Sequence, residues 1–170
     1  ANGIKVYLFE GLRPTPELSF AIRKLHTISG IVITASHNPK DYNGYKVYWE
    51  EGSQILDDIA EKILKNINNI KNFSEVKNID REAALEKGLL NIIGKEIDDE
   101  YINKVKKLSL NEDIDKEIKL VYTPLNGTGN IPVRRVLRER GFKNVFVVPE
   151  QENPDPDFTT VGYPNPEDFA

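Results

Sequence analysis

Ile31-Val32-Ile33-Thr34-Ala35-Ser36-His37-Asn38-Pro39, followed by Gly44-Tyr45-Lys46-Val47-Tyr48-Trp49, decides how this chain is read. Ile31 to Ala35 is a short apolar, β-branched run, and it reads as a strand. Asn38-Pro39 breaks it, because proline fixes its own φ and restricts the residue before it. The second run returns as another strand and places Lys46 ten residues after Ser36. A hydroxyl, an imidazole and an ammonium are thereby gathered at adjacent strand ends.

Outward from this stretch the pattern is α/β. Lys5 to Phe9 reads as a strand ended by Gly11. Thr15-Pro16-Glu17 predicts a helix start: a threonine cap, proline at the first helical position and an acid in the first turn. Leu18, Ala21, Ile22 and Leu25 fall at i, i+3, i+4 and i+7 and predict one buried face. The strand–helix–strand spacing predicts a parallel sheet with a crossover helix. Downstream, Asp57 or Asp58 is expected to cap a helix reaching about Ile70, with Ile59, Ile63 and Ile67 stacked. Residues 71–79 read as loop, 80–87 as a short helix stopped by Gly88, and 89–93 as a strand. Asp98 is expected to cap a further helix whose face is Tyr101, Val105 and Leu108. After a charged spacer, 111–117, the pattern restarts: strand 118–122, loop 123–129, helix 131–140, strand 145–148. The fold class expected is α/β, with two βαβ-type units whose mixed, largely parallel sheets are flanked by helices.

Composition bounds the function. A length of 170 residues suits one ordinary domain or two small ones, and 39% hydrophobic content suits a globular protein. No window approaches the roughly 20 apolar residues of a membrane-spanning helix, and residues 1–5 hold no apolar signal core. The expectation is a cytoplasmic protein with no membrane partner. A net charge of −4 argues against general nucleic-acid binding, which wants a basic face. The absence of cysteine excludes disulfide, thiolate and zinc-thiolate chemistry. His26 and His37 are the two imidazoles available. The absence of methionine, the start close to a strand and the Pro-rich end at 149–166 point to a piece of a longer protein.

A serine hydroxyl becomes a nucleophile when a base takes its proton or a strong electrophile approaches. His37 is the neighbouring side chain able to titrate near neutrality. Successive residues of an extended strand face opposite ways, so Ser36 and His37 act together only if the chain turns sharply between them. Lys46 can neutralise a phosphate or relay a proton. On these residues alone, a tight turn beside a solvated lysine also fits. A Ser-His-Asp hydrolase fits poorly, because no Gly-x-Ser-x-Gly elbow surrounds Ser36. Asn38 and Asn43 are expected to shape the loop through side-chain to backbone hydrogen bonds. Arg13 lies in the first strand-to-helix loop, within possible reach of a cleft, while Arg23 reads as a solvated or paired helix residue. Gly127-Thr128-Gly129 before a helix is weakly anion-binding in pattern and predicts close strand-to-helix packing. Asp155-Pro156-Asp157 reads as a turn.

Thr34-Ala35-Ser36-His37-Asn38-Pro39 with Tyr42-Asn43-Gly44-Tyr45-Lys46-Val47-Tyr48 resembles the phosphoserine loop of the α-D-phosphohexomutases, the superfamily of phosphoglucomutase and phosphomannomutase. Arg13-Pro14-Thr15-Pro16-Glu17-Leu18, Thr123-Pro124-Leu125-Asn126-Gly127-Thr128-Gly129 and Tyr163 to Glu167 extend the resemblance along the chain. The Tyr-Lys-Val-Tyr-Trp ending looks most like the bacterial phosphoglucomutase/phosphopentomutase branch. The resemblance implies four domains around one cleft, with 1–97 forming most of the first and 98–170 beginning the second. It implies that Ser36 carries a phosphoryl group, that His37 and Lys46 assist proton transfer and charge stabilisation, and that Asn38, Asn43 and Arg13 bind substrate or shape the loop. It further implies one Mg²⁺ held in part through a phosphoryl oxygen on Ser36, a sugar bisphosphate primer, and a sugar phosphate substrate. The metal's aspartate loop and the sugar-selecting loop lie in other domains of such proteins, so the fragment alone is expected to be inactive. Phosphopentomutase, phosphoglucosamine mutase and a non-catalytic sugar-phosphate-binding module are the alternatives.

Overall fold

The computed structural model describes residues 1–162 together with 165 and 167. The Tyr163–Glu167 match therefore lies largely outside the described residues. Six strands and five α-helices follow in the order β1 (Val6–Phe9), α1 (Thr15–Leu25), β2 (Ser29–Ile33), β3 (Tyr45–Trp49), α2 (Asp57–Asn69), α3 (Arg81–Glu86), β4 (Leu90–Ile93), α4 (Lys95–Lys106), β5 (Lys119–Tyr122), α5 (Asn130–Glu139) and β6 (Asn144–Val147). Single 3₁₀ turns occupy Phe73–Glu75 and Pro149–Gln151.

The strands pair in three two-stranded sheets. β1 pairs parallel with β4, Val6 opposite Leu90 through Phe9 opposite Ile93. β5 pairs parallel with β6 across α5, as the second strand–helix–strand spacing predicts. The first such unit departs from expectation. β1 and β2 are not hydrogen-bonded neighbours; β2 pairs antiparallel with β3, Ser29 opposite Trp49 through Ile33 opposite Tyr45. The reason is local. The loop after β2 folds straight back, so β3 is brought alongside β2 as its sequence neighbour in an antiparallel hairpin. β1 finds its parallel partner only after α2 and α3 have passed.

α1 buries Ala21 and Ile22, at 3% and 2% exposure, against β2. Full burial of one such isoleucine contributes about 1.5–3 kcal/mol. Gly30 permits the approach, since a Cβ there would lie 2.5 Å from Ile22 Cδ1. The helix starts differently from expectation: Pro14 is the N-cap, Thr15 is already helical, and no side chain caps the turn. Glu17 N–H donates to Pro14 O instead, at 2.9 Å. Likewise Leu56, not Asp57 or Asp58, precedes α2, and Gly94, not Asp98, precedes α4. Asp80 does cap α3, accepting from Glu82 N at 2.9 Å and Ala83 N at 3.3 Å.

α4 buries Ile97 and Ile102, whereas Leu108 lies past its end and is exposed. The helix begins about a turn earlier than the sequence predicts, so the stripe of Tyr101 and Val105, both half-buried, extends back to Ile97, with Ile102 beside it. α4 packs on both α1 and α5, so it joins the two strand–helix–strand units. α2 has no fully buried residue, and its Leu64 and Ile67 are exposed.

Candidate functional site

Residues 34–44 form the tip of the β2–β3 hairpin. The ladder closes where Thr34 N–H donates to Gly44 O at 2.9 Å. A Cβ on residue 44 would lie 2.3 Å from Thr34 O, so glycine is required by the closeness of the strands. Beyond this point the backbone turns. Ser36 has φ 58°, in the left-handed region where a residue with a Cβ is strained by about 1–2 kcal/mol. Thr34 Oγ1 accepts from Ser36 N at 3.0 Å and holds the turn. Asn38 N–H donates to Ala35 O and Tyr42 N–H to Pro39 O, each at 3.0 Å, giving two successive tight turns.

The left-handed residue breaks the strand alternation that would separate Ser36 from His37. Ser36 Oγ lies 3.4 Å from His37 Nδ1, at the long edge of hydrogen-bond reach. Both side chains are exposed. Lys46 is opposite Val32 on the hairpin, and Gly44 is opposite Thr34. Directly paired antiparallel residues share a face, so Lys46 stands on the face of Thr34, two pairs below the closing Thr34–Gly44 pair. Asn43 Oδ1 accepts from Gly44 N at 3.0 Å. The Asn38 side chain is exposed at the tip.

One contact anchors this region to distant chain. Lys40 Nζ donates to Asp157 Oδ1 at 2.8 Å across the surface. Asp155 in turn accepts from Asp157 N, Thr159 N and Thr159 Oγ1, which lowers its pKa, the Thr159 hydroxyl first. That carboxylate is spent on a turn. Among the described residues no group of three or more His, Asp or Glu side chains is arranged to hold a metal ion. The described residues therefore supply no complete side-chain ligand set for a Mg²⁺ ion. The 230 Å³ cleft lined by Arg23, His26, Thr27, Glu50 and Glu51 lies at the other end of the hairpin.

Arg13 lies in the loop between β1 and α1. Its guanidinium makes a two-pronged pair with Asp98 of α4, Nε to Oδ1 at 2.7 Å and Nη2 to Oδ2 at 2.8 Å, and lies over the Phe9 ring at 5.4 Å. The hydrogen bonds it donates to Asp98 raise the arginine's pKa. Arg23 is exposed and reaches toward Glu51 O at 3.5 Å. The loop 123–129 is shaped by left-handed Leu125 and Asn126; Asn126 N–H donates to Gln151 O at 2.9 Å and its Nδ2 to Asn153 O at 2.7 Å. A Cβ on Gly129 would lie 2.9 Å from the Tyr122 hydroxyl, which is the close strand-to-helix packing expected there.

One group escapes sequence reading entirely. Glu17 is 1% exposed on α1. Burial pushes its pKa up to about 7, with the Asp98 hydrogen bond and charge adding to the rise and Arg13 and Arg135 opposing it. Burial works against Asp98's charge too, but the bonds from Arg13 and Glu17 prevail and hold Asp98 below its ordinary value. In sequence Glu17 is only an acid in a first helical turn. Its position one turn before buried Ala21 was the available signal.

Comparison with known proteins gives a coherent result. Two family descriptions match, "Phosphoglucomutase/phosphomannomutase, alpha/beta/alpha domain I" over residues 1–74 and "alpha/beta/alpha domain II" over residues 99–170. A phosphoglucomutase of Staphylococcus haemolyticus is 43% identical over 99% of this chain and 30% of its own length. A human glucose 1,6-bisphosphate synthase is 39% identical over 99% of this chain and 27% of its own length. A human phosphopentomutase is 37% identical over 99% of this chain and 28% of its own length. The crystal structure of a putative phosphomannomutase from Thermus thermophilus superposes with a TM-score of 0.74 at 27% identity, covering 93% of this chain and 33% of that one. The chain thus spans about 30% of the length of the curated relatives it matches.

Proposed function

The chain belongs to the phosphoglucomutase/phosphomannomutase family, and we propose that it is the serine-bearing part of a sugar-phosphate mutase in carbohydrate metabolism. The observation that carries this is the strained, exposed Ser36 at a hairpin tip, with His37 Nδ1 3.4 Å from its hydroxyl. In the proposed cycle Ser36 holds a phosphoryl group. A sugar-monophosphate hydroxyl attacks that phosphorus; the new P–O bond forms, the Ser36 Oγ–P bond breaks, and the hydroxyl proton passes to a base. The sugar is now a bisphosphate. After it turns over, Ser36 Oγ gives its proton to a base and attacks the other phosphoryl group; the Oγ–P bond forms, that sugar O–P bond breaks, the sugar oxygen takes up a proton, and the phosphoserine is regenerated as a sugar monophosphate leaves. Phosphoryl transfer of this kind depends on positioning and on neutralising charge at the transferring oxygens.

His37 is the local base and acid for these protons, and Lys46, on the Thr34 face, opposes the phosphoryl charge. Asn43 keeps the loop closed onto Gly44, Asn38 caps the tip toward substrate, and Arg13 sets the neighbouring β1–α1 loop. Mg²⁺, when bound at a Ser36 phosphoryl oxygen, adds further charge neutralisation; its other ligands belong to the remaining domains, and a sugar bisphosphate primes the serine. We take 1–97 as the serine-loop domain and 98–170 as the start of the next, in a cytoplasmic protein. No described helix is long and apolar enough to cross a membrane. Because the chain contributes one face of a cleft, the isolated 170 residues should show no turnover.

The sugar is the open choice. Relatives named phosphoglucomutase, glucose 1,6-bisphosphate synthase and phosphopentomutase match at similar identity. Glucose phosphate is the first reading and pentose phosphate the second. The test is a coupled assay on the full-length parent, with and without Ser36→Ala. Mg²⁺ and bisphosphate primer are present, and glucose, mannose and pentose 1-phosphates are offered separately. Turnover lost on removing the hydroxyl supports the mutase and names the sugar. No turnover with any sugar from folded, metal-loaded parent rejects it in favour of a non-catalytic sugar-phosphate-binding module.

A further inference from the structure

Helix α4 carries two adjacent aspartates with opposite partners. Asp98 turns to the β1–α1 loop and takes both prongs of Arg13 at 2.7 and 2.8 Å. Asp99 turns to α5 and accepts from Arg135 Nη2 at 2.6 Å. Successive helical residues are about 100° apart, so one helix serves both neighbours. The α5 side continues through Arg135 to Glu139 at 2.7 Å and Lys106 to Glu139 at 2.5 Å. The α1 side is joined by Lys24 to Glu100 at 2.6 Å and by the tilted stack of Phe20 on Tyr101, 5.6 Å between ring centres.

Glu17 is buried on α1 with its Oε1 lacking any hydrogen-bond partner, and both Asp98 and Arg13 act on its carboxyl. The α1–α4 site therefore holds two carboxyl groups with one guanidinium bonded between the loop and α4, that of Arg13, while Arg135 acts only by its charge from α5. If both were ionised, a buried charge would stand uncompensated with an unpaired oxygen, an expensive state. If Glu17 keeps its proton, it donates to Asp98, and the buried pair sets a single negative charge against Arg13, whose Nη2 also lies 3.4 Å from exposed Glu10. The groups facing Glu17 are Arg13 from the loop, Asp98 and Tyr101 from α4, and Arg135 from α5. β2, packed on the other side of α1, is Ser-Gly-Ile-Val-Ile and brings no charged group. We propose that Glu17 and Asp98 share one proton, and that this acid–carboxylate pair, closed by Arg13, is the pin that positions the serine-bearing unit on α4. Loss of the proton leaves two carboxylates in contact and loosens α1 from α4, making the joint responsive to pH around neutrality. Glu17 is a positioning residue: it touches no reacting atom.

The experiment uses this chain without any sugar phosphate, so its outcome is separate from the mutase reading. Side-chain carboxyl carbons are followed by NMR from about pH 5 to about pH 9, with amide exchange of α1 and α4 corrected for intrinsic rate. One glutamate carboxyl should titrate near neutrality and vanish in Glu17→Gln. Wild-type protection should fall by up to about tenfold per pH unit through that titration. Glu17→Gln, which donates permanently, should hold its protection over the same range. Asp98→Asn is the second variant: it removes the shared-proton partner and frees Arg13 for Glu17, so the Glu17 midpoint should drop toward the ordinary carboxyl range. The proposal is overturned if no carboxyl titrates above about pH 6, well beyond the usual glutamate value. It is equally overturned if Glu17→Gln keeps the wild-type pH profile, or if Asp98→Asn leaves the Glu17 midpoint in place.

Discussion

Gly44→Ala tests the geometry on which the serine turn depends. The added Cβ would lie 2.3 Å from Thr34 O. Ordinary contact between carbon and a carbonyl oxygen starts near about 3.3 Å, so the strands must part by about 1 Å. The obstacle is backbone on the facing strand, which cannot swing away as a side chain would. The same residue pair carries the closing hydrogen bond, Thr34 N–H to Gly44 O at 2.9 Å, so separation weakens it. Overpacking costs about 1–3 kcal/mol and a lost backbone bond about 1 kcal/mol, while alanine's smaller unfolded-state freedom offsets about 0.4–1 kcal/mol. The net expectation is a destabilisation of about 2 kcal/mol, read by urea unfolding of the chain. Amide exchange at Thr34 should quicken, and at Ser36 too, because Ser36 N donates to Thr34 Oγ1. Gly88→Ala is the control. It has φ +64° but nothing within 4 Å, so only the left-handed backbone is strained, by about 1–2 kcal/mol, and the hairpin amides should not respond. If Gly44→Ala cost less than about 0.5 kcal/mol with Thr34 protection unchanged, the close strand approach would be refuted.

Two further outcomes follow from particular contacts. Asp80→Ala removes the cap of α3, leaving Glu82 and Ala83 N–H without their acceptor. A loss of about 1 kcal/mol is expected, with faster exchange at those two amides. The stability of the chain should also carry the Glu17 signature, obtained as wild type minus Glu17→Gln across pH. The folded pKa of Glu17 is raised from 4.5 to about 7. Between those values the unfolded chain releases the proton first, so wild-type stability falls as pH rises, by up to about 1.4 kcal/mol per unit and about 3 kcal/mol at most. Asp98 works in the other sense: its pKa is lowered from 3.8, so its contribution is present above that value and is lost on acidification. A difference curve flat through the window from about 4.5 to about 7 would remove Glu17 from the account.

What the chain encodes locally was legible in it. The serine turn rests on bonds between residues a few places apart: Thr34 to Ser36, Ala35 to Asn38, Pro39 to Tyr42. Proline, asparagine and glycine impose such turns through their own dihedral limits, whatever surrounds them. The same is true of the Asp80 cap and of the β5–α5–β6 unit, whose strands meet across one helix. The helix start at Thr15 is legible, but the caps expected at Thr15, Asp57 and Asp98 fall elsewhere, because a cap is a geometry and several neighbouring residues are able to supply it. The rest is decided at a distance. β1 chooses β4, some eighty residues on, because register and burial are properties of the assembled layers. Arg13 is drawn to Asp98, 85 positions away, and with it the loop that the sequence placed near a cleft. Glu17 shows the difference most plainly. Its sequence makes it an ordinary acid at a helix start; only the packing of α1 on α4 takes away its water, faces it with a second carboxylate, and so changes which proton it holds.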